Sequence, residues 1–213
     1  EEQGVDVLFG YPGGVIMPLY HALPEFPALG KDNPLAYGDM HFLDSLEKME
    51  RAYDDWKNGT WSKEPYLDLL IPSMTDPTMA PPGKHVMSIF VQYAPYHLKE
   101  GAADWPNQRE AFGDAVIDTL SEYMPNLKSL ILHRQVLTPW DLEQTYGLTE
   151  GNIFHGELSL EQLAFLRPMA GWSRYKTPVE NLWMCASGTH PGGGIMGAPG
   201  ALCARTMLGK RAV

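Results

Sequence analysis

Cysteine, positive charge and long apolar runs are all scarce in this sequence. Its two cysteines, Cys185 and Cys203, form no C-x-x-C pair, which excludes a disulfide framework and a cysteine zinc site. Both lie in apolar surroundings and read as buried thiols. Against 26 acidic residues stand only 16 Lys and Arg, a formal net charge of -10, with no basic cluster interleaved with aromatics. That balance argues against nucleic acid or an anionic membrane as a main partner. No apolar run approaches the roughly 18 residues of a membrane span, and no secretory leader is visible. The localisation expected is therefore intracellular, cytoplasmic or mitochondrial matrix, not secreted. H-x-x-x-H, H-E-x-x-H, G-x-S-x-G and Walker A spacings are all missing, so zinc, serine-hydrolase and NTPase chemistry have no sequence support, and no metal is expected.

What is present is hydrophobic content of 44% in 213 residues, enough to bury one good core or two small ones. The patterning predicts mixed α and β, with antiparallel strands in the middle. Residues 5–9 read as a strand, 10–14 as a tight turn and 15–23 as a short helix interrupted by Pro18. Residues 24–38, rich in Pro and Gly, read as an irregular connection. Asp44 with Glu47 predicts a capped helix, with Leu46, Met49, Tyr53 and Trp56 on its apolar side and Asn58-Gly59 ending it. The sequon Asn58-Gly59-Thr60 is more simply that helix end. Strands are predicted over 66–71 and 85–93, the second with Met87, Ile89, Val91 and Tyr93 on one face.

Asn107 and Glu110 cap a further helix that buries Phe112, Val116, Leu120 and Tyr123 and presents Asp114, Asp118 and Glu122 as a solvated acidic stripe. A strand is predicted over 127–137. Thr138-Pro-Trp-Asp141 then opens a helix stopped near Gly147, and Ser159 with Gln162 opens one through Leu166. The last elements are a buried strand over 182–186 and a helix over about 194–208.

Between these last two lies Gly192-Gly193-Gly194-Ile195-Met196-Gly197, which satisfies G-x-G-x-x-G. Missing side chains there let a phosphate or flavin approach backbone N–H groups at a helix N-terminus. The same glycines serve equally for a sharp turn and close strand–helix packing with no ligand. A complete dinucleotide unit needs a further strand and an acidic residue about 20 positions on, and the sequence stops at Val213. His190 could donate to a ligand or orient the loop. Tyr93 and Tyr96 could form a substrate wall or a core edge.

Several strings in one order resemble the C-terminal part of the phytoene desaturase-like FAD-dependent oxidoreductases, within the wider flavin amine oxidase group. They include Leu23-Pro-Glu-Phe26, Glu50-Arg-Ala-Tyr-Asp54, Asp76-Pro-Thr-Met-Ala-Pro-Pro-Gly-Lys-His-Val-Met87 and Phe90-Val-Gln-Tyr-Ala-Pro95. Leu137-Thr-Pro139 with Asp141-Leu-Glu143, Gly151-Asn-Ile-Phe-His155 and Ser187-Gly-Thr-His-Pro-Gly-Gly-Gly194 complete the set. The resemblance implies a substrate domain over 23–181 and a cofactor-contacting strand, loop and helix over 182–213. It implies FAD as cofactor, contacted by Ser187, Gly188, Thr189, His190, Gly192, Gly193, Gly194, Ile195 and Met196. Free N–H groups of Gly193, Gly194 or Ile195 near the flavin N1/O2 edge would stabilise the charge of a reduced flavin. A small apolar organic substrate, giving up hydride to the flavin, would meet Tyr93 and His155.

The family's N-terminal ADP-binding unit does not precede residue 23. Residues 1–21, Glu2-Gln-Gly-Val-Asp-Val-Leu-Phe-Gly-Tyr-Pro-Gly-Gly-Val-Ile-Met-Pro-Leu-Tyr20 among them, instead resemble the start of acetolactate synthase, a thiamine diphosphate enzyme. Its activating glutamate and its diphosphate and Mg2+ sites are not found. The expectation is a fusion joined near Ala22-Leu23, with little or no flavin binding or activity in the chain alone, and with residues 5–9 as a substitute partner for the 182–186 strand. A thiamine-enzyme fragment and a non-catalytic binding module are the alternatives.

Overall fold

A computed structural model describes residues 15–20, 37–42, 45–157, 159–193 and 195–209, the first stretch by its backbone. The chain is mixed α and β with a small antiparallel sheet, and it forms two compact units, Glu1–Gly151 and Asn152–Val213.

In the first unit, strands β1 (Val15–Tyr20), β2 (Met40–Phe42), β3 (Tyr66–Leu70), β4 (Lys84–Gln92) and β5 (Gln135–Val136) run in the order β2-β3-β4-β1-β5. Register pairs Leu67 with Val91 and Leu69 with Ile89, so one face of β3 and β4 is a continuous apolar surface. Those four residues and Met87 are essentially inaccessible to solvent. Helix α2 (Trp105–Tyr123) contributes Phe112, Val116 and Leu120 to the same core. Trp105 is fully buried, and its indole N–H donates to the Pro95 carbonyl at 3.0 Å, which satisfies its one polar atom.

Residues 15–23, expected as a helix, contain a strand instead. Val15 and Ile16 are β-branched, and Pro18 removes a helix-interior hydrogen bond. Only Val15 and Ile16 also pair with β5, so Pro18, opposite Val86, lies where β1 is paired with β4 alone.

Helix α1 (Leu46–Lys57) ends at Asn58 as predicted, but Ser45 supplies the cap, its Oγ accepting from Lys48 N at 3.2 Å. Asp44 lies outside the described residues. The predicted apolar stripe is only partly covered: Ala52 is buried, Leu46 is 74% exposed, and Tyr53 and Trp56 stack on each other with centroids 5.3 Å apart. In α2 the acidic stripe is paired rather than bare. Asp114 meets Arg134 at 2.6 Å, Asp118 meets Lys128 at 2.6 Å, and Glu122 meets Lys48 at 3.7 Å.

The stretch 127–137 is not one strand. Helix α3 (Leu127–Leu130) buries Leu127, and only Gln135 and Val136 reach the sheet. Helix α4 (Pro139–Tyr146) agrees with its sequence signals throughout: Thr138 and Asp141 form a full capping box, and Gly147 ends it in a left-handed conformation.

In the second unit, Ser159 and Gln162 do not open a helix. Two short 3-10 turns, Leu160–Gln162 and Ala164–Leu166, take its place, and the buried Ser159 Oγ has no partner. Leu166 N bonds to Leu163 O, while the Gln162 carbonyl is taken by Arg167 at 3.1 Å. Residues 182–186 are not a buried strand either. A single bridge joins Trp183 to Lys176, and Leu182, Met184 and Cys185 are exposed. Three hydrogen bonds, Thr177 N to Leu182 O, Leu182 N to Val179 O and Met184 N to Tyr175 O, fold this stretch back on residues 175–179, and no neighbouring strand lies beside it among the described residues. Residues 5–9, its expected partner, lie outside them. Helix α5 (Ala198–Met207) closes the described chain.

Candidate functional site

The glycine-rich stretch is built as consecutive tight turns. Thr189, almost fully buried, donates from its N–H and its Oγ1 to the Ala186 carbonyl at 2.9 and 2.8 Å, and Gly192 N donates to Thr189 O at 2.7 Å. Gly192 has φ 107, which an L side chain rarely adopts. At Gly193 a Cβ would meet Ser187 Cβ at 3.3 Å and Oγ at 3.4 Å, so this glycine permits the two arms of the turn to touch. Together these arms and the start of α5 enclose an open cavity of about 350 Å³, lined by Cys185, Ala186, Ser187, Gly192, Gly193, Ile195, Met196, Gly197, Pro199 and Gly200.

Helix α5 starts at Ala198 rather than near 194. Ile195 and Gly197 both hold positive φ, 62 and 63, which no right-handed helix accommodates. The donors expected from Gly193 and Ile195 are therefore not at the helix terminus, and Gly194 lies outside the described residues. Of the first-turn groups, Pro199 has no N–H and Ala201 N bonds back to Gly197 O at 3.1 Å, and of the other two only Gly200 lines the cavity. Ile195 is 96% and Met196 61% exposed, an apolar rim. The His190 ring stacks on Phe165 with centroids 4.9 Å apart, and its carbonyl accepts from Tyr175 Oη at 2.9 Å. Gly188 approaches His155, whose Cβ lies 3.9 Å from where a Gly188 Cβ would stand. His155 is itself exposed, in a turn where Phe154 N donates to Asn152 Oδ1 at 2.9 Å. Of the two cysteines expected to be buried, Cys203 is, its thiol pushed up first by that burial, whereas Cys185 is exposed.

Arg167 escaped sequence reasoning, although an arginine inside the apolar string Ala164-Phe-Leu-Arg-Pro168 was a visible signal. Only 2% exposed, it donates to four backbone carbonyls: Gln162, Glu157, Phe154 and Ser187. One nitrogen, Nη1, serves both Phe154 and Ser187. The two sequence strings around His155 and Ser187 are therefore joined by one side chain.

Tyr93 belongs to the first unit. Its ring meets Tyr53 edge-on at 5.5 Å, and its backbone is fixed by Ser62, whose Oγ accepts from Tyr93 N at 2.9 Å. In the same unit, strand register creates a cluster with no sequence spacing to announce it. Cross-strand partners His41 and Asp68, with Asp39, bring ligand atoms within 4.8 Å of one another. Tyr66 Oη bonds to His41 Nδ1. Burial first, then its hydrogen bond to Asp39, pushes the Asp68 carboxyl up to about 6.

No family model matches the chain. The geometry defines a mixed α and β unit with a small antiparallel sheet and a second unit that carries a glycine turn and a helix, and the chain's relatives narrow the class. It is 44% identical over 188 residues to pyridine nucleotide-disulfide oxidoreductase domain-containing protein 2 of Rattus norvegicus, covering 86% of this chain and 32% of that protein. The Mus musculus protein of the same name is 41% identical over 195 residues, covering 90% and 33%. A lycopene-forming phytoene desaturase of Pseudescherichia vulneris is 36% identical over 132 residues, covering 62% and 26%. These proteins are homologues of the chain, which spans about a third of the length of the first two. The comparisons give no support to the acetolactate synthase resemblance of residues 1–21.

Proposed function

We propose that the chain is the C-terminal part of an FAD-dependent oxidoreductase and that its glycine turn receives the isoalloxazine end of the flavin. The observation that carries this reading is the conjunction of 44% identity to a named oxidoreductase domain protein with an open cavity walled by Ser187, Gly192, Gly193 and the start of α5. On this reading residues 182–213 contact the cofactor and residues 23–181 form the substrate part.

The residues present fit one end of the group. The cavity of about 350 Å³ is of the size of a tricyclic ring rather than a whole dinucleotide. Its donors are backbone N–H groups, its rim is Ile195 and Met196, and Gly193 keeps the wall free of a side chain. When bound, flavin supplies hydride acceptance. The chain's own part is to present the Gly200 N–H, with the helix dipole behind it, where negative charge develops. An apolar organic substrate is the reading favoured by a relative named as a phytoene desaturase.

The test is a fluorescence titration of the chain with riboflavin, FMN and FAD. All three should bind with comparable Kd, because the turn meets the part they share. Gly193→Val, which drives a side chain into Ser187 and the cavity wall, should abolish binding. Equal binding by Gly193→Val, or none of the three flavins bound by the parent, sinks the reading.

A further inference from the structure

Arg167 presents an energetic problem of its own. Withdrawing a guanidinium from water costs several kcal/mol unless its donors are satisfied, and this one is 2% exposed with no carboxylate among its described partners. Four carbonyls replace water. Nε bonds to Gln162 O at 3.1 Å, Nη2 to Glu157 O at 2.8 Å, and Nη1 to Ser187 O at 2.8 Å and to Phe154 O. Three separate stretches of backbone thus converge on one planar fork. A lysine, with a single nitrogen, cannot reach acceptors at both ends of that fork.

The contact to Ser187 has a direct consequence for the cavity. Ser187 is the residue against which Gly193 packs, at 3.3 Å for a would-be Cβ, and both line the cavity. Moving the Ser187 carbonyl therefore moves the wall. The far side of the turn is held separately, by Tyr175 Oη on the His190 carbonyl. Among the described residues, no Arg167 hydrogen bond reaches α5.

We infer that Arg167 is the positioning residue of the 187–193 turn: its buried fork ties the Ser187 carbonyl to the His155 turn and so sets the shape of the cradle. What the cradle holds rests on the flavin reading above; that Arg167 holds the cradle does not. The guanidinium charge behind the turn, with no carboxylate among its described partners, also biases the site toward a ligand that carries or gains negative charge.

Hydrogen exchange on the full chain tests this. In Arg167→Ala and Arg167→Lys, the amides of Thr189 and Gly192 should exchange at least about tenfold faster, the scale of a lost charge-assisted hydrogen bond, while β3, β4 and α5 keep their protection. Non-denaturing guanidinium should restore protection in Arg167→Ala by refilling the vacated fork. Arg167→Lys, which keeps charge and bulk, guards against misreading a folding failure. Unchanged exchange at Thr189 and Gly192 in both variants overturns the inference. A riboflavin titration run alongside separates the two claims. If the parent binds no flavin, the flavin reading fails and the exchange result still decides the role of Arg167. If the parent binds, both variants should lose affinity by about tenfold or more. Lost affinity with intact protection of the turn would overturn positioning.

Discussion

Asp141 carries more of the first unit than its place in a short helix suggests. Its Oδ2 accepts from Thr138 N at 2.9 Å and Thr138 Oγ1 at 2.7 Å, and its carboxylate takes the Arg109 guanidinium. With its side chain 11% exposed, removal strands a partly buried cation and uncaps α4. Asp141→Ala should therefore cost about 3 kcal/mol, read as a lowered urea midpoint. Asp114→Ala, which breaks an ion pair on a carboxylate that is 68% exposed, should cost less than about 1 kcal/mol. Asp68 makes a second prediction, in pH. Its folded carboxyl holds a proton up to about 6 against an ordinary 3.8, so the folded state binds more protons in that window. Stability is then lost as pH rises from about 4 through 6, and the loss is complete above. Asp68→Asn, neutral throughout, should melt above the parent at pH 8 and level with it at pH 4. His85, pushed down by burial, acts in the opposite direction as pH falls, and the paired comparison cancels it. A melting difference that does not vary with pH would refute the assignment.

At the scale of elements, two glycines meet the opposite ends of α4 with different demands, Gly147 at its C-terminus and Gly151 against its first turn. Gly147 is left-handed, φ 68, with open space where a Cβ would stand. Gly151, φ 66, has the Pro139 carbonyl oxygen 2.2 Å from that point, and both Cα and carbonyl carbon within 2.7 Å. Gly147→Ala should cost about 1 kcal/mol, the strain of a left-handed alanine. Gly151→Ala must also displace the backbone of the first turn of α4 and should cost at least about 3 kcal/mol. Chemical denaturation of the pair decides it, and equal costs would remove the steric argument. The elements that sequence signals located well share a property: α4, α1 and the core face of β4 are each specified by neighbours in the chain. Capping by Thr138 and Asp141, or alternation of Met87, Ile89 and Val91, needs no distant partner. Residues 15–20, 127–137 and 182–186 had ambiguous local signals. A short apolar run fits strand or helix until a neighbouring strand is present, as it is for Val15–Tyr20 along β4 and is not, among the described residues, for 182–186.

Across the whole chain the two units are held in different ways. Glu1–Gly151 has an apolar core from β3, β4 and α2, whereas the buried residues of Asn152–Val213 include Arg167, Thr189, Tyr175 and Cys203, a largely hydrogen-bonded interior. Large apolar side chains such as Leu160, Phe165, Met169 and Ile195 stay exposed in the second unit. Amides of the second unit should accordingly exchange well before those of Leu67, Ile89 and Val116 in a native-state hydrogen-exchange series. Comparable protection in both units would contradict this. No helix among the described residues is long and apolar enough to cross a membrane.

The kinship with oxidoreductases and the place of the glycine turn were legible in sequence, because order of motifs and missing side chains are properties of the chain itself. So were the caps of α4 and the core of the central sheet. Only tertiary structure decided that α5 begins at Ala198, that Cys185 is exposed, that His41 and Asp68 face each other, and that Arg167 stands behind the turn. The last two depend on which residues distant in the chain come within about 3–5 Å, and such a contact leaves no periodic trace in the sequence; the first two depend on local backbone angles and on what packs over a segment, which composition does not fix.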